Sequence, residues 1–401
     1  MASKFFGFSN LVFVGVFLFV GLVGWNVYSY FFDTTTPAIV LSGLDIGGYY
    51  CGDVQCAVSS TKKGELAVWL DGQPLLSKFK IGSKNTDHPF TIPTRTIANG
   101  EHVLRVEVAD SSFNKNKVAI DRVFNVDNQP LQAAFVKADA DYKVLQGRTL
   151  HLQFQVNKPI KEAKVHALSH SFDCFAENPH SLIYECFIPI ACEENPNEYL
   201  FNVEIVDNVG NVLNLDNKFQ IVMYPFKTQN LQIGKEKIEE EKKLGLAISE
   251  RERVLQELAD QSPKQKMWKG SFCTPINIAR TTCDFGTIRT TQEKGRYKHK
   301  ALDVANTPKS VVWSTQDGVV VHKARYEDAG NTVVVDHGYG VLSLFYHLDD
   351  FANIEIGQKI AQGSPIGTLG KTGYATGYHL HWEMRVNNIA VDPMQWTHAT
   401  F

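Results

Sequence analysis

At 401 residues, with 44% hydrophobic and 21% charged residues, the chain has the make-up of folded protein and is too long for one ordinary domain. Its formal charge of −3 lacks the basic footprint that nucleic-acid binding leaves, so no nucleic-acid partner is expected. The seven cysteines, Cys51, Cys56, Cys174, Cys186, Cys192, Cys273 and Cys283, are dispersed and fit no tight four-ligand metal pattern.

Lys4 is the only charge in the first ten residues, and LVFVGVFLFVGLVGWNVYSYFF, Leu11 to Phe32, carries none. Crossing a bilayer takes about 20 apolar residues, so the run predicts a transmembrane anchor over 10–32 behind a cytosolic tail, 1–9. The alternative is a secretory signal, whose apolar core is about 7–15 residues and whose cleavage site is A-x-A-like; Val27-Tyr28-Ser29 matches such a site poorly. Lys4 and the amino terminus precede the span, and no Lys or Arg follows before Lys62. Positive charge stays on the cytosolic side, which puts the remaining domains on the periplasmic, extracytoplasmic face of the cell membrane, with the lipid bilayer as a partner. Export favours disulfides, and Cys51–Cys56, Cys273–Cys283 and two of Cys174, Cys186 and Cys192 are the candidate pairs.

Residues 36–226 read as β-strands. In TLHLQFQV, 149–156, Leu150, Leu152, Phe154 and Val156 alternate with His151, Gln153 and Gln155, the pattern of a half-buried strand. LDG at 70–72 and IANGEH at 97–102 have turn chemistry. EHVLRVEVAD, 101–110, recurs as EYLFNVEIVD, 198–207, at a constant offset of 97 residues. A β-sandwich takes about 100 residues, so two tandem immunoglobulin-like modules are expected, 36–127 and 128–226. They serve as spacers or bind an unidentified partner. KEKIEEEKKLGLAISERERVLQELADQ, 235–261, then combines mixed-sign charge with apolar Leu244, Ile248, Leu255 and Leu258 before Ser262-Pro263. This predicts an amphipathic connector helix within 230–262 that packs one face on a neighbour; the seam is too short for a coiled coil.

From Trp268 onward, short β-like runs such as GVVVHKA (318–324) and NTVVVDHG (331–338) alternate with glycine turns, densest from Gly357 to Gly377. A small antiparallel β domain over 266–398 is expected, making the whole chain mainly β. There is no H-E-x-x-H, no G-x-S-x-G and no cysteine in a catalytic context. Histidine remains: seven of the thirteen lie from His299 onward. In GYHLHWE an extended run would turn His379 and His381 to one face and Leu380 and Trp382 to the other.

FGTIR (285–289), GRYKHKALDVA (295–305), STQDGVVV (314–321), GNTVVVDHGYGVLSLFYHL (330–348), IGQKIAQGSPIGTLGKTGYATGYHLHWE (356–383) and VDP (391–393) follow one another in order. This series resembles the lysostaphin/LytM-type zinc metallopeptidases, endopeptidases that cut peptide bonds in peptidoglycan. The resemblance covers about residues 268–396 and is more specific than any single motif. It implies one Zn2+ per chain held by His299, Asp303 and His381, with the fourth tetrahedral position open to water. Such a metal lowers the water's pKa from about 15.7 toward 7 and polarises the scissile carbonyl. His347 and His379 match the non-ligand catalytic histidines: one takes the water's proton and returns it to the leaving amine, the other donates to the oxyanion, in an order left open. Asp336, Asp349, Asp350 and Glu383 either orient imidazoles or are solvated turn carboxylates. Asn331 and Arg289 are structural or line the groove. His322, His337 and His398 are expected to be structural, with His337 in a turn. Ala301, Ala375 and Tyr378 depart from the family's usual glycine, serine and proline.

The expected function is therefore a membrane-anchored zinc metalloendopeptidase acting on peptidoglycan stem peptides and cross-bridges during cell-wall remodelling. The alternative is a non-catalytic wall-binding protein or an activator of another hydrolase, which would typically have lost zinc ligands. An adhesion protein built around the β modules would leave the histidines unexplained.

Overall fold

The uncharged N-terminal run forms helix α1 (Phe6–Phe32), in which Gly15–Phe32 is long and apolar enough to cross a membrane and is fully exposed. A membrane anchor and a signal sequence both fit these features. The computed structural model describes residues 6–82, 85–137, 142–230, 235–291 and 295–399, so the first five residues of the expected tail lie outside it. Contacts divide the chain into two units, Met1–Pro130 with Asn208–Gly210, and Leu131–Asp207 with Asn211–Phe401.

In the first unit a three-stranded sheet (Ile39–Ser42, Val54–Ser60, His88–Ile92) faces a five-stranded one containing Gly64–Leu70, Gly100–Asp110 and Lys117–Val126. Val58 and Ile92 from one sheet and Leu66, Val106 and Phe124 from the other share one core, which makes a two-sheet sandwich. The second unit begins with a comparable sandwich. Leu152, Phe154 and Val156, the apolar members of the alternating strand Thr149–Val156, are buried with Val165, Val203 and Phe219. The internal repeat is visible in the pairing: in each sandwich a short early strand runs parallel to the last long strand, Tyr49–Tyr50 with 125–126 and Tyr142–Leu145 with 219–222.

Each copy of the repeat ends on a buried acid, Asp110 or Asp207, that meets a lysine from a neighbouring segment. In the second sandwich Lys158 Nζ lies 2.7 Å from Asp207 Oδ2, and both side chains are almost fully buried. Burial pushes Asp207 up, but Lys158 and Asn211 outweigh it and hold the carboxyl below its ordinary value. The pair's contribution is accordingly complete above the ordinary carboxylate pKa and is lost as pH falls through the lowered one. Lys158→Met strands the carboxylate without its cation. It should cost about 3 kcal/mol in urea unfolding near pH 7, with a smaller penalty in acid.

All seven cysteines are free thiols, so none of the expected disulfides forms. Cys51 is exposed whereas Cys56 faces the core, Cys273 donates to Ser314 O, and Cys283 sits on a different sheet strand. Cys174 and Cys186 are both buried inside the second sandwich, where the Cys186 thiol donates to Phe172 O at 4.0 Å.

The connector helix, α2, spans Lys235–Asp260, later than the expected start at 230. Asn230 is committed to strand Thr228–Asn230, whose backbone pairs with Ile288–Thr291; residues 231–234 and the side chain of Leu244 lie outside the described part. Leu255 and Ala259 bury the face of α2 against Val334, Leu342, Leu344 and Tyr346 of the C-terminal sheet.

That sheet is antiparallel throughout. Arg280–Cys283, Leu302–Ala305, Leu380–Val386, Val341–Leu348, Gly330–Asp336, Gly318–Tyr326 and Lys359–Ile360 pair in this order. Leu380 and Trp382 are fully buried within its core. Helix α3 (Pro393–His398) is capped by Asp392, which accepts from Met394 N at 3.0 Å. Trp396 of α3 packs on Phe187 of the second sandwich, joining the two cores.

Candidate metal centre

Antiparallel pairing sets Cys283 opposite Asp303, Asp303 opposite His381, and His381 opposite Tyr346. Directly paired residues share a sheet face, so the four side chains form one row across four strands. His299 joins from the loop before Leu302–Ala305. Its N–H donates to Thr287 O at 2.9 Å, and its carbonyl accepts from Gly286 N at 2.7 Å. The FGTIR segment therefore fixes this histidine through its backbone. Gly286 has φ +74°, and a Cβ there would run into the Phe226 ring, so glycine is required.

Asp303 Oδ1 is the common point of the site. His299 Nε2 lies 3.0 Å from it, His381 Nδ1 2.9 Å and His379 Nε2 4.0 Å. His299 is 7% exposed, yet its Nε2 has no hydrogen-bond partner despite that short approach. A buried nitrogen 3.0 Å from a carboxylate oxygen and poorly aligned for a hydrogen bond to it is placed as one ligand beside another. Nitrogen and oxygen donors on a tetrahedral zinc would stand about 3.3 Å apart, a few tenths wider than these separations. The set of two imidazoles and one carboxylate thus fits zinc by donor chemistry, with each imidazole in ligand-to-ligand range of Asp303.

Among the described residues the grouping whose ligand atoms all lie within 4.8 Å of one another is a different one, Cys283, His299 and Asp303. Cys283 carries no motif, and only its register opposite Asp303 could have pointed to it. Burial pushes its thiol up, which disfavours the thiolate that a metal needs. Cys283→Ser is expected to leave zinc stoichiometry unchanged, measured by metal analysis of the purified chain. Loss of the ion would make sulfur a ligand.

His381 is held from both sides. Nδ1 faces Asp303, and Nε2 lies 3.1 Å from Glu383 Oε1. Burial alone would lower its pKa, but the two carboxylates bring it up to about 9. Burial likewise opposes ionisation of Asp303 and Glu383. The imidazoles of His299 and His381 still hold Asp303 far below the carboxylate range, and Arg385 with His381 does the same for Glu383. Arg289 approaches the other Asp303 oxygen at 3.6 Å.

His379 precedes the strand, which begins at Leu380, so the extended run is shorter than GYHLHWE suggested. Its ring still faces the site, 4.8 Å from that of His347. Strict alternation from Tyr346 would send His347 to the opposite face. Instead, Tyr346 and His347 together oppose the single residue Thr332, a β-bulge, and His347 takes φ +61°. This left-handed turn re-aims the ring to 5.9 Å from His381. His347 Nδ1 lies 2.8 Å from Thr372 O and His379 Nδ1 2.9 Å from Gly377 O. Both Nδ1–H groups donate to backbone carbonyls, leaving each Nε2 with its lone pair toward the cleft. Gly330 and Thr372 meet so closely that a Cβ at Gly330 would collide, which seats the loop carrying the Thr372 carbonyl.

Of the four acidic neighbours, Glu383 contacts a site histidine. Asp336 instead accepts from Ser262 and Gly338, and Asp349 pairs with Lys309; Asp350 has no bond to an imidazole among the described contacts. Asn331 is structural, donating to Asp349 O. His337 is structural and sits where the chain turns toward Val341, fully buried and bonded to Asp317 O and Ser343. Ala301 is fully buried, so its methyl is inside the fold.

The family model described as Peptidase family M23 matches residues 297–393. The C-terminal domain belongs to peptidase family M23. The chain is 32% identical over 128 residues to peptidoglycan DD-endopeptidase ShyC of Vibrio cholerae, covering 32% of this chain and 29% of that one. It is 33% identical over 136 residues to the DD-carboxypeptidase/endopeptidase Mpg of Neisseria meningitidis, covering 34% and 31%. The chain thus spans under a third of the length of these relatives. The catalytic domain of the antimicrobial peptidase lysostaphin from Staphylococcus simulans aligns with 30% of this chain and 92% of its own length, at 24% identity and a TM-score of 0.27.

Proposed function

We propose that this chain is a membrane-anchored zinc endopeptidase that hydrolyses peptide cross-links of peptidoglycan on the extracytoplasmic side. The observation that carries the reading is the convergence of His299, Asp303 and His381 on one point, with His347 and His379 beside it. The M23 match and the names of its relatives supply the substrate class. Helix α1 supports an anchor, and the two sandwiches would set the reach of the M23 domain into the wall.

His299 Nε2, Asp303 Oδ1 and His381 Nδ1 would hold the zinc. Bound there, zinc supplies Lewis acidity toward the scissile carbonyl and makes water a nucleophile near neutral pH. The remaining work falls to the chain. The proton on His381 Nδ1 must leave before that nitrogen can coordinate, which ties metal uptake to pH. Glu383 keeps the other His381 proton on Nε2 and so selects the useful tautomer. Burial, then the neighbouring His381 and His379, lower His347 to about 3, so its imidazole is neutral at pH 7 with an open Nε2. His379 presents a second Nε2 beside it, its Nδ1 likewise held by a backbone carbonyl. One of the two histidines would take the water's proton and the other would face the oxyanion.

Metal analysis of the purified full chain, followed by mass analysis of digested wall, tests the reading. One zinc per chain and new muropeptides separated by hydrolysis are expected. Zinc without cleavage would favour the non-catalytic wall-binding role, and a chain that takes up no zinc would remove the metallopeptidase.

A further inference from the structure

Glu252 lies in α2, well before the residues that the M23 match covers. Its carboxylate accepts two hydrogen bonds from Arg385, Nη1 to Oε2 at 2.7 Å and Nη2 to Oε1 at 3.0 Å. The same guanidinium donates Nε–H to Glu383 Oε2 at 2.7 Å and Nη1–H to Asn388 at 2.9 Å. Glu383 then meets His381 Nε2 through its other oxygen, Oε1, at 3.1 Å. A continuous path of charge-assisted bonds therefore runs from the connector helix to an expected metal ligand.

We propose that Glu252 of α2 is a positioning residue for His381, making the connector helix part of the functional peptidase. The proposal rests on the metallopeptidase reading above. Arg385 is 4% exposed and uses its rigid fork on two acids at once. With Glu252 in place, the outer edge of the fork is occupied and only Nε addresses Glu383. Glu383 Oε1 is thereby left for the imidazole. Without that carboxylate, Nη1 keeps Asn388 but Nη2 loses the acceptor it has here, and Glu383, already bonded to Nε, is an anion able to satisfy it. Turning Glu383 toward a two-pronged bond with Arg385 draws Oε1 away from His381. The ring then loses the acceptor that holds its proton on Nε2 and leaves Nδ1 for the metal.

The helix is fixed firmly enough to serve this purpose. Leu255 and Ala259 are buried one turn and two turns beyond Glu252, while Arg251 pairs with Asp328 and lies 5.3 Å over the Tyr346 ring. Tyr346 is itself the cross-strand neighbour of His381. Helix and ligand row are thus braced from two directions.

Glu252→Gln in the full chain tests the assignment, since glutamine keeps the shape and one acceptor but not the charge. Zinc affinity is read by competition with a chelator, and the melting temperature is read after chelator treatment. Leu255→Ala is the control that loosens helix packing while sparing the carboxylate. Glu252→Gln should bind zinc about tenfold more weakly, the low end for partners of a ligating histidine, with little change in melting. Leu255→Ala should melt earlier and bind zinc nearly as the parent does. Parental affinity in Glu252→Gln, or affinity that simply follows melting temperature across both variants, would overturn the positioning role. A parent chain that binds no zinc would overturn the metallopeptidase reading, and this inference with it.

Discussion

His299→Ala should release the zinc and bring wall-peptide cleavage to about a thousandth of the parent rate or less. The expectation follows from what surrounds that nitrogen. His299 Nε2 is buried, has no hydrogen-bond partner and points at Asp303 Oδ1. Once it is gone, Asp303 and His381 remain 2.9 Å apart as an ordinary ion pair, and two ligands cannot close a tetrahedral site. The fold has little at stake by comparison. The imidazole gives up only its 3.0 Å approach to Asp303, which His381 still engages, and its backbone bonds to Thr287 and Gly286 survive the substitution. Chelator-treated parent and variant should therefore differ by about 1 kcal/mol or less in denaturant unfolding. Large loss of stability with zinc retained would recast His299 as a core residue. Cleavage at the parental rate would end the assignment.

What could be read without coordinates follows a pattern. Periodicity within a strand was legible: Leu150, Leu152, Phe154 and Val156 are buried as their alternation requires, and Leu380 and Trp382 anchor the strand that carries His381. The family resemblance pointed to His299 and Asp303, four positions apart, and their side chains meet at 3.0 Å. Facts of register were not legible. Cys283 reaches the ligand row because an antiparallel neighbour sets it opposite Asp303, and nothing near position 283 in the chain announces that pairing. Glu252 was one acid in a strongly charged helix, and its meaning depends on Arg385, 133 positions later. The disulfide guesses failed for a related reason. Closeness along the chain does not bring Cys51, which is exposed, to Cys56, which faces a core. His347 is the most instructive case, because correct knowledge of the strand misleads. Alternation would turn it away from Tyr346, and a single extra residue at the bulge reverses that outcome.

The bulge also separates two costs at His347. His347→Ala should retain one zinc per chain, because the ring's Nδ1 is engaged by Thr372 O and its Nε2 serves the cleft without being an expected ligand. The rate constant kcat should nevertheless fall about 10²–10⁴-fold, the usual loss when a positioned acid–base group is removed. Zinc content therefore distinguishes this histidine from His299 when activity alone would not. Stability gives the second measurement. At φ +61° an L-residue is held in the left-handed region, where glycine is unstrained and alanine is not. His347→Gly should thus be more stable than His347→Ala by about 1 kcal/mol, with both equally poor in turnover. Equal stability would mean that the backbone carries no strain at this position. Better turnover in the glycine variant than in the alanine one would mean that backbone conformation, as well as the imidazole, limits the rate.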